Sequence, residues 1–372
     1  MSQLGQQVNT TELNKFLEHI FRRNNKLHEK GQRGTPIMIW GNHGLGKTHT
    51  VVEFAKKNNW KMAYCAPAQF EEMGDLHGMP IVVDPDGNVQ GDEYTVYSPP
   101  DWVPKEEGPG ILLLDDINRA DDRILRGVMQ LLQNFELLSW KLPPKWQIVA
   151  TANPDDGDYS VTPMDDAMLT RMLHTTLTFD ARAWAEWASS AGIDKRGIDF
   201  VLTYPEAVTG KRTTPRSLVQ FFDQIHDIPD LKEELDLVLA LCKSALDETT
   251  VMSFISFIND DLSKLLDPLE ILGAPKFAEV KKKMESLAVG KNGEKRIDRL
   301  STICTRLYLH LKNDQYQPEK NHTANLVEFI LLDEIPNDLK MSLFMDLNKE
   351  GATEVRSMLK DKRLAKLLLS SI

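Results

Sequence analysis

The stretch IMIWGNHGLGKT, residues 37–48, holds the side chains best suited to grip a chain of phosphates. Gly41, Asn42, His43, Gly44, Leu45, Gly46, Lys47 and Thr48 complete the pattern G-x-x-x-x-G-K-[ST]. An apolar run precedes it and a helical segment beginning at Lys47 and His49 follows. Three glycines let the backbone turn through left-handed dihedrals, so that successive N–H groups can surround a phosphate. The positive end of the following helix adds to that field, Lys47 can reach the β- and γ-phosphates, and the Thr48 hydroxyl can ligate Mg²⁺. Residues 41–49 are therefore expected to bind a nucleoside triphosphate with magnesium.

Three further features could complete phosphoryl chemistry. In ILLLDDIN, four apolar residues run into Asp115 and Asp116. A carboxylate at the carboxyl end of a buried strand, beside a phosphate loop, is placed to hold the metal, which is the role expected of Asp115. Asp116 could take a proton from attacking water, or could simply cap the next helix. In QIVATANP, Asn153 ends another apolar run, where its amide can donate and accept at once; Asn-Pro is also a common turn. Arg171 and Arg216 lie outside the loop chemistry. An arginine on the transferring group is worth about 10³ to 10⁵ in rate, against a default of a surface ion pair for either residue taken alone.

These side chains need strands to present them. From residue 37, apolar runs alternate with helical periodicity: strands at 37–40, 61–66, 111–114 and 147–151, helices at 47–58 and 123–135. That alternation predicts a parallel sheet covered on both faces. A helix is expected at about 11–30, and a hairpin turning at Asp86-Gly87-Asn88 within an insert at about 80–104. From residue 181 only helical periodicity remains, giving an expected division at 1–180, 181–266 and 267–372. With 372 residues the chain exceeds what one core supports. No apolar run approaches the roughly 20 residues of a membrane span, and the N-terminus lacks a secretion pattern, so a cytoplasmic protein is expected. Cys65, Cys242 and Cys304 lack metal-ligand spacing and read as reduced core residues. A net charge of −11 argues against a large nucleic-acid footprint. The basic segments at 281–283 and 291–299 read as solvated helix faces.

The order of these parts, over residues 30–225, resembles the AAA+ ATPases: phosphate loop, acidic strand, polar strand tip, arginine, helical lid with a second arginine. DDINRA, ATANP, AMLTRM and TPRSL are similar to the MoxR branch, and the insert at 80–104 resembles the one that this branch carries. The resemblance implies a parallel-sheet P-loop AAA+ core of α/β class, an α-helical lid and further C-terminal helices. It implies Mg²⁺-dependent ATP hydrolysis in a homo-oligomeric ring, usually hexameric. Asn153 matches sensor 1, Arg171 the arginine finger acting on the neighbouring subunit, and Arg216 the sensor 2 arginine. It further implies chaperone-like remodelling of a protein partner, with a von Willebrand factor A domain protein alongside. A nucleic-acid motor or loader and a nucleotide-gated scaffold with little turnover are the alternatives. Two departures stand out. Asp116 replaces the family's usual Glu, leaving the carboxylate roughly 1 Å short of the attacking water. The segment between Phe135 and Gln147 is also shorter than the family's hairpin there, which weighs against a threading role.

Overall fold

Apolar runs too short for helices become the strands of a parallel sheet in the computed structural model. It describes residues 4–84, 93–155, 160–209, 212–259, 265–290, 293–312 and 316–364. Two units make up the chain, Met1–Asp180 and Ala181–Ile372. The first contains β1 (Gln6–Val8), α1 (Thr10–His28), β2 (Ile37–Trp40), α2 (Lys47–Lys57), β3 (Lys61–Cys65) and α3 (Met73–His77). These are followed by β4 (Met79–Val83), β5 (Tyr94–Ser98), β6 (Gly110–Leu114), α4 (Asp122–Asn134), β7 (Glu136–Leu137) and β8 (Trp140–Lys141). The unit ends with β9 (Trp146–Ala152), α5 (Asp166–Leu169) and β10 (Leu173–Leu177).

Six strands pair in the order β1-β10-β2-β9-β6-β3, every pair parallel. β2, β6 and β9 are buried along their whole length, as strands covered on both faces must be. Alternation at period two sends their side chains to two separate cores. Ile37, Ile39, Ile111, Leu113 and Val149 meet Leu13, Leu17 and Phe21 of α1 and Val51 and Phe54 of α2. Met38, Trp40, Leu112, Leu114, Ile148, Ala150 and Ala152 meet Ile124, Leu125, Val128 and Leu132 of α4. A reciprocal capping box starts α1: Glu12 N–H donates to Asn9 Oδ1 at 2.9 Å, and Asn9 N–H to Glu12 Oε2 at 3.0 Å.

The α/β class expected from the alternation is the class observed, with every strand and helix anticipated in this unit within a residue or two of its expected bounds. β1 and β10 were not anticipated. β10, LHTTL, alternates only weakly in hydropathy, and β1 has three residues; backbone pairing makes them strands, reinforced by Thr175 and Thr176 hydroxyls donating to Gln6 O and Leu4 O. β4 and β5 form the antiparallel insert, and the Asp86-Gly87-Asn88 turn expected between them lies outside the described residues. The short hairpin β7–β8 fills the segment before β9.

The second unit is helical: α6 (Ala181–Ser190), α7 (Lys195–Thr203), α8 (Pro215–Ile225), α9 (Leu235–Ala245), α10 (Glu248–Asn259) and α11 (Pro268–Leu272). α12 (Phe277–Leu287), α13 (Ile297–Lys312), α14 (His322–Ile330), α15 (Asn337–Glu350) and α16 (Thr353–Met358) complete it. Phe200, Phe221, Phe222, Phe254 and Phe257 form an aromatic centre; Phe254 stands edge-on to both Phe200 and Phe221 at 5.0 Å between centroids. Beside it, Arg306 Nε lies 3.1 Å from Asp199 Oδ1, both groups buried, and Arg306 Nη2 lies 3.5 Å from Asp267 Oδ2. Asp267 also caps α11 and pairs with Lys195.

Burial pushes the Asp199 carboxyl up to about 6, against the pull of Arg306 and Lys195. Its folded-state value therefore exceeds that of an exposed aspartate, about 3.9. The proton is held more tightly when folded, so this contribution to stability is full below about pH 4 and lost as pH rises through 6. Relative to Asp199→Asn, the wild-type chain should gain on the order of 1–3 kcal/mol between pH 7 and pH 4.5, read by denaturant unfolding at both values. Equal pH dependence of the two proteins would refute this.

Candidate nucleotide site

Everything that converges on the phosphate loop comes from the carboxyl ends of neighbouring strands, where a parallel sheet opens. β2 delivers Gly41, β6 delivers Asp115, and β9, between them in the sheet, delivers Asn153. Gly41 has φ +153°, and a Cβ there would lie 2.9 Å from Leu177 O. Gly46 has φ +88° with open space around it, so it is needed for its dihedral and not for room. It opens α2, whose first-turn N–H groups face the loop. Asn42, His43 and His49 are exposed, while Leu45 packs against the core beneath α1 and α2.

Lys47 is buried and folded across the loop. Its Nζ donates to Gly41 O at 2.7 Å, Asn42 O at 3.2 Å and Asn153 Oδ1 at 3.0 Å. The ammonium thus lies between the loop and the polar strand tip, where an incoming phosphate oxygen can replace backbone carbonyls as its acceptor.

Asp115 is the hub. Its Oδ1 accepts from Thr48 Oγ1 at 2.7 Å and from Thr151 Oγ1 at 2.6 Å, and its Oδ2 accepts from Tyr64 Oη at 3.1 Å. Burial, together with the Asp115 charge and hydrogen bond, pushes the Tyr64 phenol up to about 12, so it remains a donor at neutral pH. Thr48 and Asp115 offer hard oxygen donors side by side, the set that suits Mg²⁺ completed by phosphate oxygens and water. Among the described residues no cluster of three or more His, Cys, Asp or Glu could hold a metal by itself.

Asp116 takes the left-handed conformation, φ +49°, ψ +46°, directly after the strand. Its N–H donates to Thr151 Oγ1 at 2.8 Å, and its carboxylate lies 3.7 Å from Arg119 Nη1. It precedes the short helical turn 117–119, but its side chain makes no capping bond there. Asn118 fixes the geometry around it. Its Nδ2 donates to Asn153 O at 2.8 Å and its Oδ1 accepts from Asn153 N–H at 3.1 Å, both groups buried. The turn after β6 and the tip of β9 are thereby locked together.

Five of the anticipated side chains, Lys47, Thr48, Asp115, Asp116 and Asn153, are thus brought together. Arg171 is elsewhere in the same unit, donating to Gln133 Oε1 at 2.9 Å and Ala167 O at 2.5 Å. Arg216 is an exposed residue in the first turn of α8, in the second unit. Tyr64, Thr151 and Asn118 were not anticipated. For Thr151 a signal existed, since it is two residues before Asn153 and so shares its side of β9. Tyr64 becomes visible only once β3 is known to lie beside β6. Cys65, Cys242 and Cys304 are buried thiols without disulfide partners, each pushed up to about 12 by burial.

Residues 36–172 match the sequence profile of the AAA domain (dynein-related subfamily). No curated protein matches the chain in sequence. Among solved structures, a point mutant of Thermotoga maritima RuvB overlaps 76% of this chain and 82% of its own at 14% identity, with a TM-score of 0.41. The T. maritima RuvB Holliday junction branch migration motor overlaps 72% and 75% at 14% identity, with a TM-score of 0.38. A Cytophaga hutchinsonii ATCC 33406 protein classed as an ATPase overlaps 99% of this chain and 90% of its own at 15% identity, with a TM-score of 0.32. At these TM-scores the overlaps add nothing to what the loop and strand ends say. Among the described residues no helix is long and apolar enough to cross a membrane. Residues 36–172, the stretch similar to the AAA domain, contain the phosphate loop, Asp115, Asp116, Asn153 and Arg171.

Proposed function

We propose that the chain hydrolyses ATP with Mg²⁺ in a ring of its own copies, usually six, and uses the cycle to remodel a protein partner in the manner of the MoxR branch. The observation that carries this reading is the convergence of Lys47, Thr48 and Thr151 with Asp115 and Asn153 at the carboxyl ends of the adjacent strands β2, β9 and β6. Bound magnesium would neutralise charge on the β- and γ-phosphate oxygens. Thr48 and Asp115 would hold it. Lys47 leaves the Gly41 and Asn42 carbonyls for phosphate oxygens, while Asn153 keeps its amide toward the γ-phosphate and the attacking water. Asp116 takes the proton of that water. Arg171 stabilises the transferring group from the adjacent subunit, and Arg216 serves as the sensor 2 arginine. The MoxR-like motifs support a partner bearing a von Willebrand factor A domain. The acidic net charge of −11 weighs against a nucleic-acid track.

A nucleotide-gated scaffold with little turnover is the second reading, favoured by the short Asp116 side chain and its pairing with Arg119. Phosphate release at steady state separates the two. Lys47→Ala should abolish nucleotide binding by calorimetry, whereas Asp116→Asn should bind within about twofold of wild type and lose turnover by about 10²-fold or more. Turnover unchanged in Asp116→Asn would remove its role as base. Thr151→Val keeps shape but strands the Asp116 N–H and removes one of the two donors to Asp115 Oδ1, and should cost about 1–3 kcal/mol of stability, with Thr151→Ser close to wild type. Mixing Arg171→Ala with Lys47→Ala chains should restore part of the activity absent from either alone, since one supplies an intact loop and the other an intact arginine. Failure in every ratio, with assembly verified by mass, would exclude action between subunits.

A further inference from the structure

Arg171 belongs to a tight turn, and a histidine ties that turn to the strand feeding the phosphate loop. Trp40, the last residue of β2, immediately precedes Gly41. Its indole Nε1–H donates to His174 Nδ1 at 2.9 Å, and the two rings stack at 6.1 Å between centroids. The other ring nitrogen, His174 Nε2, lies 2.6 Å from Leu169 O. Indole can only donate and a carbonyl can only accept, so both partners dictate the same state: a neutral imidazole with its hydrogen on Nε2. Leu169 O also receives Met172 N–H, closing the turn 169–172 that contains Arg171. Met168 and Leu169 of α5 and the buried Met172 pack on the cluster that contains Trp40.

We propose that His174 is a positioning residue for Arg171, linking the turn that presents the arginine to the occupancy of the phosphate loop in the same subunit. This rests on the reading of Arg171 as a residue that serves the neighbouring site. The driving event is a change of partner by Lys47. While Nζ donates to Gly41 O and Asn42 O, it pulls on the peptides directly after Trp40. Phosphate oxygens draw the ammonium off those carbonyls, and the strain on the Trp40–Gly41 link changes. Trp40 is only 9% exposed and packed on one side by the sheet, so a shift of its backbone moves its indole as a rigid lever. The hydrogen bonds through His174 carry that shift to Leu169 O and the turn beyond it. Each subunit would in this way present its arginine according to its own nucleotide, and so pass its state to the next site.

Amide hydrogen exchange of residues 167–173, with and without a non-hydrolysable ATP analogue and Mg²⁺, tests the link in the full chain. Calorimetry on the same samples fixes the affinity. In wild type the analogue should change exchange in this segment by about threefold or more. Trp40→Phe and His174→Phe keep aromatic bulk but remove the hydrogen bonds; both should lose that response while binding the analogue within about twofold of wild type. His174→Gln, which can still accept and donate, should regain part of it. A purely structural role would alter basal exchange and melting without touching the nucleotide-dependent difference. The proposal is overturned if wild type binds the analogue with no change at 167–173, or if Trp40→Phe responds in full. Absence of binding in wild type overturns the nucleotide-site reading as well, and calorimetry tells that result apart.

Discussion

One carboxylate, that of Asp115, organises the site. It accepts three hydroxyl hydrogen bonds, from α2, β3 and β9, while its own strand β6 supplies the backbone. A charge at the edge of a buried sheet is costly to desolvate unless donors surround it. Here the donors are hydroxyls, whose loss of water is cheaper than that of a second ion. They leave the negative charge uncancelled and available to a cation. Had a lysine or arginine taken the place of Thr151, the carboxylate would be neutralised and its value to a metal lost.

The same hydroxyls set the spacing of everything else. Thr151 Oγ1 donates to Asp115 and accepts the Asp116 N–H, holding the two acids to the middle strand of the trio. Asn118 then binds both the N–H and the carbonyl of Asn153, a two-point bond that neither serine nor threonine can make. Motion of the acidic turn and of the polar strand tip is therefore shared. The two cores on either face of the sheet supply the stiffness that such shared motion needs, since close-packed interiors shift as blocks.

The legible parts of the sequence were those in which one short segment carries both pattern and purpose. Residues 37–48 announce strand, loop and helix because apolar run, glycines and helix start fall in immediate succession. The acids of β6 and the amide of β9 could be placed once strands were inferred to end there. β1 and β10 escaped because their strand character is conferred by neighbours: in LHTTL a threonine separates the two leucines on one side, and Gln6–Val8 is only an edge. Thr151, Asn118 and Tyr64 escaped for a related reason. A hydroxyl or amide in a strand or turn is ordinary until the order β9-β6-β3 sets it against a charge, as for Thr151 and Tyr64, or against a neighbouring strand's tip, as for Asn118. Local composition encodes elements, while lateral strand order, a long-range property, encodes which polar groups meet.

For the proposed role of Asp116 as base, backbone conformation bears on the reach of a short side chain. An aspartate is one methylene shorter than a glutamate, so a carboxylate delivered from an ordinary extended backbone would stop short of a water poised on the phosphate. The observed left-handed dihedrals, +49° and +46°, rotate the Cα–Cβ bond away from the strand direction, and aspartate is among the few residues that accept them at low cost. The bond from Asp116 N–H to Thr151 holds that conformation, and Arg119, 3.7 Å from the carboxylate, limits where it can swing. With the guanidinium half exposed, the pairing is weak enough to yield to a competing partner. An acid held this way can rest against its arginine and still turn toward water when a phosphate arrives, so a short side chain at this position is compatible with turnover and with restraint upon it.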